Sequence, residues 1–172
     1  MIQNLKIDNI EEKLAKIKLF AFDVDGVLTN GEIIYTDSGE EIKIFNAKDG
    51  QGINLLVKNG FITAIITARQ SNIVEQRAKD LEIAEVFQGA KKKIDAIHVL
   101  MEKYGLQYDE IAYAGDDLPD ICVLEKVGLA FCPADAVNEV KQICHFICSK
   151  EGGRGAVREI TDLLLKEALK TV

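Results

Sequence analysis

The chain has 172 residues, of which 48% are hydrophobic and 28% charged, with a formal net charge of −7 at pH 7 and a sequence pI near 4.9. These values suit one soluble globular domain spanning 1–172 with a substantial core. The acidic balance argues against nonspecific binding to nucleic acid or to an anionic membrane. A phosphorylated substrate stays open, because a bound cation can invert the local field.

Residues 1–17 carry acids and lack the long apolar core of a secretory signal, and no run is apolar enough to cross a bilayer. Helix-like spacing of Ile7, Ile10 and Leu14 predicts a short helix within 2–16. An apolar run, Leu19 to Phe22 with Ile17 just before it, then stops at Asp23, and Asp25 and Gly26 follow. A short continuous apolar run suits a central strand buried on both faces of a parallel sheet, and ligands of such sheets bind beyond the strands' carboxyl ends. Asp25-Gly26 between apolar residues is equally a hairpin-turn signal.

Residues 32–35 and 41–45 are β-prone and joined by Thr36-Asp37-Ser38-Gly39, which predicts a hairpin, 32–45, projecting from the sheet. A helix is expected over 49–59, ended by Asn59-Gly60. The run 61–67 reads as a buried strand ending at Thr67, and 71–81 as a helix with Ser71 as N-cap. A short strand, 85–87, precedes a helix over 91–104 with Ile94, Ile97, Met101 and Tyr104 on one face, stopped by Gly105. Then come a strand over 110–114, the acidic turn GDDLPD (115–120), a helix over 119–126, a strand over 128–132, a short helix, a strand over 145–148, a glycine-rich break and a helix over 156–170. Strands alternating with helices predict an α/β fold, a doubly wound parallel sheet without a cap domain. Of the cysteines, only Cys144 and Cys148, with His145 between them, are close, short of the paired spacings of a zinc site. Buried thiols in a reducing cytoplasm are the expectation.

Four features fall at strand ends or at the helix starts that follow: Asp23 with Asp25, Thr67, Lys93, and Asp116, Asp117 and Asp120. Singly, Thr67 is an ordinary strand end, Lys93 a solvated helix charge and 115–120 a polar turn capping a helix. In this order they resemble the motif set of the haloacid dehalogenase superfamily, whose Rossmann-like fold and chemistry the resemblance implies here. The physical case runs in parallel. Clustered carboxylates cannot all stay ionised without a compensating charge, and a hard divalent cation with oxygen ligands, Mg²⁺, supplies it. Phosphoryl transfer needs positioning and charge stabilisation, and a carboxylate nucleophile divides a hard hydrolysis into two steps. The resemblance implies Asp23 as that nucleophile and Asp25 as general acid, then base. It also implies Thr67 and Lys93 on the phosphoryl oxygens, and metal held by Asp23, the Asp25 backbone carbonyl and Asp116. Asp117 or Asp120 would orient metal-bound water or Lys93. An acid two residues after the nucleophile points to a phosphatase or phosphomutase.

A closer resemblance covers about 17–170. FDVDGVLTNG (22–31), the hairpin, FNAKDGQGI (45–53), ITAR (66–69), Arg77, GDDLPD and GGRGAVRE (152–159) are similar to the capless branch containing the 3-deoxy-D-manno-octulosonate 8-phosphate (KDO 8-phosphate) phosphatase family. The resemblance implies hydrolysis of a keto-sugar-acid phosphate, in lipopolysaccharide biosynthesis for KDO. It implies binding by Asp25, Asn46, Ala47, Lys48, Asp49, Gly50, Arg69, Arg77, Lys93 and Arg154, whose cations suit carboxylate and phosphate groups. Two positions depart from the pattern: Asn54 stands where a basic residue is usual, and Ala68 where glycine is. Phosphatases for nine-carbon acids, 2-keto-3-deoxynononate 9-phosphate or N-acylneuraminate 9-phosphate, share the branch and are the runner-up. A catalytically silent oligomerisation module is the alternative from another class, against which the intact set of Asp23, Asp25, Thr67, Lys93 and Asp116 argues. A receiver-type phospho-acceptor would need neither Asp25 nor the glycine-rich segment. The resemblance further implies a homotetramer whose hairpins pack together, with 152–155 as a mobile tail reaching a neighbour's site.

Overall fold

The computed structural model describes residues 9–168. Helix α1 is Ile10–Lys16 with Asn9 at its N-cap, so the predicted N-terminal helix forms in part and 2–8 lie outside the described residues. Strand β1, Leu19–Phe22, leads to the two short hairpin strands β2, Ile34–Tyr35, and β3, Glu41–Ile42. There follow α2 (Ala47–Lys58), β4 (Ile62–Ile66), α3 (Asn72–Asp80), β5 (Glu85–Phe87) and α4 (Lys93–Tyr104). The chain continues with β6 (Ile111–Ala114), α5 (Ile121–Leu124), β7 (Leu129–Cys132), α6 (Asn138–Ile143), β8 (Phe146–Ile147) and α7 (Ala156–Ala168).

Six strands form a parallel sheet in the order β5-β4-β1-β6-β7-β8, and β2 and β3 pair antiparallel beside it. The chain runs outward from β1 through β4 to β5, then crosses back to β6 on the other side of β1. The direction of winding reverses at β1, and an open α/β sheet binds ligand at such a reversal. Every residue of β1 is fully buried. Alternation along it divides the core into two halves. Phe20 and Phe22 pack with α2, α3 and α7 on one face, and Leu19 and Ala21 pack with α4, α5 and α6 on the other.

Several local expectations are adjusted. Ser71 occupies the N-cap position of α3 without a side-chain cap bond. On α4 the buried stripe is Lys93, Ala96, Ile97 and Leu100, with Ile94, Met101 and Tyr104 half-buried beside it. The helix expected over 119–126 is a 3-10 turn, Leu118–Asp120, followed by the one-turn α5. Cys132, Cys144 and Cys148 are buried but Cys122 is exposed, against the expectation of buried thiols throughout. His145 Nδ1 accepts from the Ala130 N–H at 2.9 Å, so its ring serves the β7–β8 edge. Among the described residues no helix is long and apolar enough to cross a membrane.

The last helix is tied to α2 by one carboxylate. Asp49 is completely buried and accepts from the Gly155 N–H (3.1 Å) and the Arg158 N–H (2.7 Å), two donors at the start of α7. Helix N-termini leave such donors without intrahelical partners, and here the acceptor arrives from a different helix. Asp49→Ala should therefore lower unfolding free energy by about 0.5–2 kcal/mol, the usual size of a lost N-cap. Urea denaturation would show this as a lower midpoint with an unchanged m-value.

Candidate active site

Asp23 continues β1 by one residue: its N–H donates to the Ala114 carbonyl at 3.0 Å, as if the ladder with β6 went on. Its side chain is fixed at both oxygens, Oδ1 by the Val24 N–H (2.6 Å) and Oδ2 by Lys93 Nζ (2.5 Å). The Asp25-Gly26 step is not a hairpin turn. The Val24 carbonyl gathers the N–H groups of Val27, Leu28 and Thr29, winding the loop into a compact knot above the strand end. Gly26 is required there. Its φ is +88°, and a Cβ would stand 2.0 Å from Asp116 Oδ2.

Lys93 opens α4, and its side chain is 2% exposed. Its ammonium bridges Asp23 Oδ2 and Asp120 Oδ1, the latter at 2.7 Å. Burial alone would lower its pKa, but the charges of Asp23 and Asp120 hold it above the ordinary value. Asp120 is wholly buried and fully used: Oδ1 also accepts from the Tyr113 hydroxyl (2.6 Å), and Oδ2 from the N–H groups of Asp116 (3.1 Å) and Asp117 (3.3 Å). Asp117, by contrast, is exposed and caps the 3-10 turn through the Leu118 N–H at 2.8 Å. The choice the sequence left open is resolved by these contacts: Asp120, not Asp117, orients Lys93.

The donor set fits a hard cation. Ligand oxygens of Asp23, Asp116 and Asp120 lie within 4.8 Å of one another. Asp116 Oδ1 is buried with no hydrogen-bond partner. Burial, with the nearby Asp120 and Asp23 charges, pushes the Asp116 carboxyl up to about 8. Burial also raises Asp23, against the opposing pull of Lys93. Three carboxylates against one ammonium leave two negative charges, which a divalent ion such as Mg²⁺ balances through oxygen ligands. Because Asp120 spends its oxygens on Lys93, Tyr113 and the turn, the available carboxylates are Asp23 and Asp116.

A cleft of ≈ 250 Å³ opens over these groups, its walls including Asp25, Thr67, Ala68, Arg69 and Lys93. Thr67 is 2% exposed at the end of β4, its N–H on the Phe87 carbonyl at 2.9 Å. Arg69 is held at the rim by Glu41 (2.8 Å) and the Tyr35 hydroxyl (3.0 Å), both from the hairpin. Burial would raise the Glu41 carboxyl, but hydrogen bonds from Ser71 and Arg69 and the charge of Lys43 bring it below its ordinary value. Tyr35 and Glu41 thus hold a rim residue, and Lys43 contacts the Asp25 carboxylate, contacts that sequence reasoning missed. The hairpin pattern showed only that the segment projects.

The remaining substrate residues predicted from the sequence are not brought into this cleft. Asn46 caps α2 through the Lys48 N–H (2.8 Å), and Ala47 and Lys48 are exposed on the first turn. Asp49 caps α7, and Gly50 gives room to Arg77, whose Nη2 would lie 2.4 Å from a Cβ at that position. Arg77 stacks over Phe45 at 5.4 Å and donates to the Asn46 carbonyl at 3.4 Å, lining a neighbouring groove with Lys43 and Phe45. Arg154 is exposed beside Glu151 at 3.8 Å. The segment 152–155 is tied down within its own subunit. The Gly153 N–H donates to the Val27 carbonyl (3.0 Å), Asn46 Nδ2 to the Gly153 carbonyl (3.3 Å), and the Gly152 N–H to Asp135 (3.0 Å). A Cβ on Gly152 would stand 1.9 Å from the Gly26 carbonyl oxygen, so its glycine serves a backbone-to-backbone contact within its own subunit.

Comparison with known proteins agrees with this geometry. Residues 82–160 match the haloacid dehalogenase-like hydrolase family. The chain is 41% identical over 158 residues to the 3-deoxy-D-manno-octulosonate 8-phosphate phosphatase KdsC of Yersinia pestis, covering 92% of this chain and 84% of the relative. It superposes with a TM-score of 0.91 on the Moraxella catarrhalis KDO 8-phosphate phosphatase, solved with magnesium, phosphate and KDO, at 41% identity over 94% of this chain and 92% of the other. The cobalt-bound phosphatase of Haemophilus influenzae superposes at 0.88 with 38% identity, covering 92% and 93%. Similarity at this level along almost the full length of both chains, with the acidic strand-end cluster in place, means that the protein belongs to the KDO 8-phosphate phosphatase family of haloacid dehalogenase-like hydrolases.

Proposed function

We propose that this chain is a Mg²⁺-dependent phosphatase that hydrolyses KDO 8-phosphate to KDO and inorganic phosphate through an aspartyl-phosphate on Asp23. The observation that carries the reading is the convergence, at the carboxyl ends of β1, β4 and β6, of Asp23, Lys93, Asp116 and Thr67 around one cleft. Full-length similarity to KDO 8-phosphate phosphatases supports the substrate. Asp23, Asp116 and the backbone carbonyl of Asp25 would hold Mg²⁺, which neutralises the clustered charge and polarises the phosphoryl oxygens.

Asp23 attacks phosphorus and the bond to the sugar oxygen breaks, while Asp25 gives that oxygen a proton. Water then attacks the phosphorus of the aspartyl-phosphate and loses its proton to Asp25. The bond to Asp23 breaks, which restores both carboxyls. Lys93 and Thr67 hold the phosphoryl oxygens through both steps, and Asp120 keeps the Lys93 ammonium aimed into the cleft. Arg69, 42% exposed at the rim, would meet the sugar-acid carboxylate.

The cleft is smaller than the roughly 300–1,000 Å³ that usually encloses a ligand of this size. The hairpin exposes Ile33, Tyr35, Ile42 and Ile44, and clustered apolar surface of this kind marks an interface. We therefore include a homotetramer formed through the hairpins, so that neighbouring subunits complete each site, and a cytoplasmic setting in keeping with the core thiols. Ile44→Asp, at a position 63% exposed, should shift sedimentation toward smaller species and raise KM for the sugar phosphate.

The direct test is phosphate release from a panel of sugar and keto-acid phosphates, with nine-carbon acid phosphates alongside KDO 8-phosphate. KDO 8-phosphate should give the highest kcat/KM, and chelation of Mg²⁺ should abolish turnover until the ion is restored. A nine-carbon acid turned over more efficiently would reassign the substrate, and no turnover on any member would leave the silent module as the better reading. Asp23→Asn should remove activity while leaving the circular dichroism spectrum unchanged. Asp25→Asn should lower kcat by roughly 10²–10⁴-fold, the usual contribution of a placed acid–base group. Arg69→Ala should raise KM for KDO 8-phosphate far more than for p-nitrophenyl phosphate, which has no carboxylate to meet the arginine.

A further inference from the structure

The hairpin carries a cation whose surroundings are not those of a surface charge. The Lys43 side chain is 2% exposed, and its ammonium is shared between Asp25 Oδ1, in close contact, and Glu41 Oε1 at 3.4 Å. A buried ammonium is tolerated only where its partners are fixed. They are fixed here: Glu41 is bound by Arg69, and Arg69 by the Tyr35 hydroxyl. The two oxygens of Asp25 consequently differ. Oδ1 is hydrogen-bonded by Lys43, which does not line the cleft, while Oδ2 faces Arg69 Nε at 3.7 Å, too far for a hydrogen bond, and Arg69 does line it.

The nucleophile and the acid are held in different ways. Asp23 is fixed from its own strand and from α4. Asp25 stands on the loop, and among the described residues the hydrogen bond on its carboxylate comes from Lys43. Proton transfer to a leaving oxygen needs the two heavy atoms within hydrogen-bond reach, so a carboxyl free to rotate would spend much of its time out of place.

We propose that Lys43 is a positioning residue for Asp25, holding Oδ1 so that Oδ2 is presented to the oxygen of the departing sugar. The inference rests on the assignment of Asp25 as the acid–base group. It gives the hairpin a part in the chemistry as well as in assembly, because the same short ribbon that exposes Tyr35 and Ile44 aims the acid.

The test exploits leaving groups. A sugar alkoxide needs a proton as it departs, whereas p-nitrophenolate leaves without one. Release should be followed in the first turnover, before hydrolysis of the aspartyl-phosphate, which both substrates share. Lys43→Met should slow release from KDO 8-phosphate by roughly 10–100-fold, the size of effect that misplacing a catalytic group by about 1 Å produces. The loss on p-nitrophenyl phosphate should be at least about tenfold smaller, with KM for both substrates little altered. Lys43→Arg keeps the charge but moves the donor, so it should show the same selectivity at reduced size, and it serves if the methionine variant does not fold. Asp25→Asn, run in parallel, sets the selectivity of losing the acid altogether. Equal losses on both substrates in the lysine variants, beside a selective Asp25→Asn, would overturn the positioning role. An unselective Asp25→Asn would overturn the acid–base assignment and the inference with it.

Discussion

Lys93 sits at the first turn of α4 with its ammonium inside the protein, and an ammonium there is tolerated only because Asp23 and Asp120 meet it. Asp120 in turn takes the Tyr113 hydroxyl from inside β6 and two N–H groups of the acidic turn. One charge network thus joins the end of β1, the core of β6, the 115–120 turn and the start of α4. Removing the lysine would leave Asp23 and Asp120 as buried carboxylates without a cation, which is far costlier than losing a surface ion pair.

That network also sets what the site can accept. It leaves the negative charge of Asp23 and Asp116 unbalanced at a point where the backbone of Gly26 comes close, so the site is charged for a divalent cation with a phosphoryl group beside it. The strand order makes this possible. Winding reverses at β1, so the loops after β1 and β6 diverge to opposite faces and a crevice opens between them. Asp23 and Asp116, 93 positions apart in the chain, meet across that crevice because Phe22 and Ala114 are register partners in neighbouring strands.

Two peripheral segments hold the loop after Asp23 from opposite directions. The hairpin reaches it through Lys43, and the glycine-rich segment through Gly152 and Gly153, which lie against the backbone of Gly26 and Thr29. Asp49 joins that segment to α2, and Asn46 reaches Gly153 from the same helix start. The motifs at 45–53 and 152–159 are thus one structural unit, a brace beneath the catalytic loop. Arg77 belongs to it as well, lodged between Phe45, Asn46 and Gly50. Within the subunit, Asn46, Asp49, Gly50 and Arg77 serve as caps and close-packing contacts.

The βα rhythm, the central strand at 19–22 and the four strand-end features were legible from the residues alone, because each is written in local periodicity and in residue types that stop an apolar run. Gly105 ending α4 in the left-handed region and the turn at 36–39 were legible for the same reason. Which carboxylate steadies Lys93 was not: Asp117 and Asp120 have the same chemistry, and only the 3-10 turn decides that one points inward and the other to solvent. Nor could spacing show that Lys43 returns to Asp25, that Asp49 caps a helix more than a hundred residues away, or that Gly152 meets Gly26. Those contacts join residues far apart in the chain, and they exist only once the sheet has closed around β1 and brought its loops to one edge.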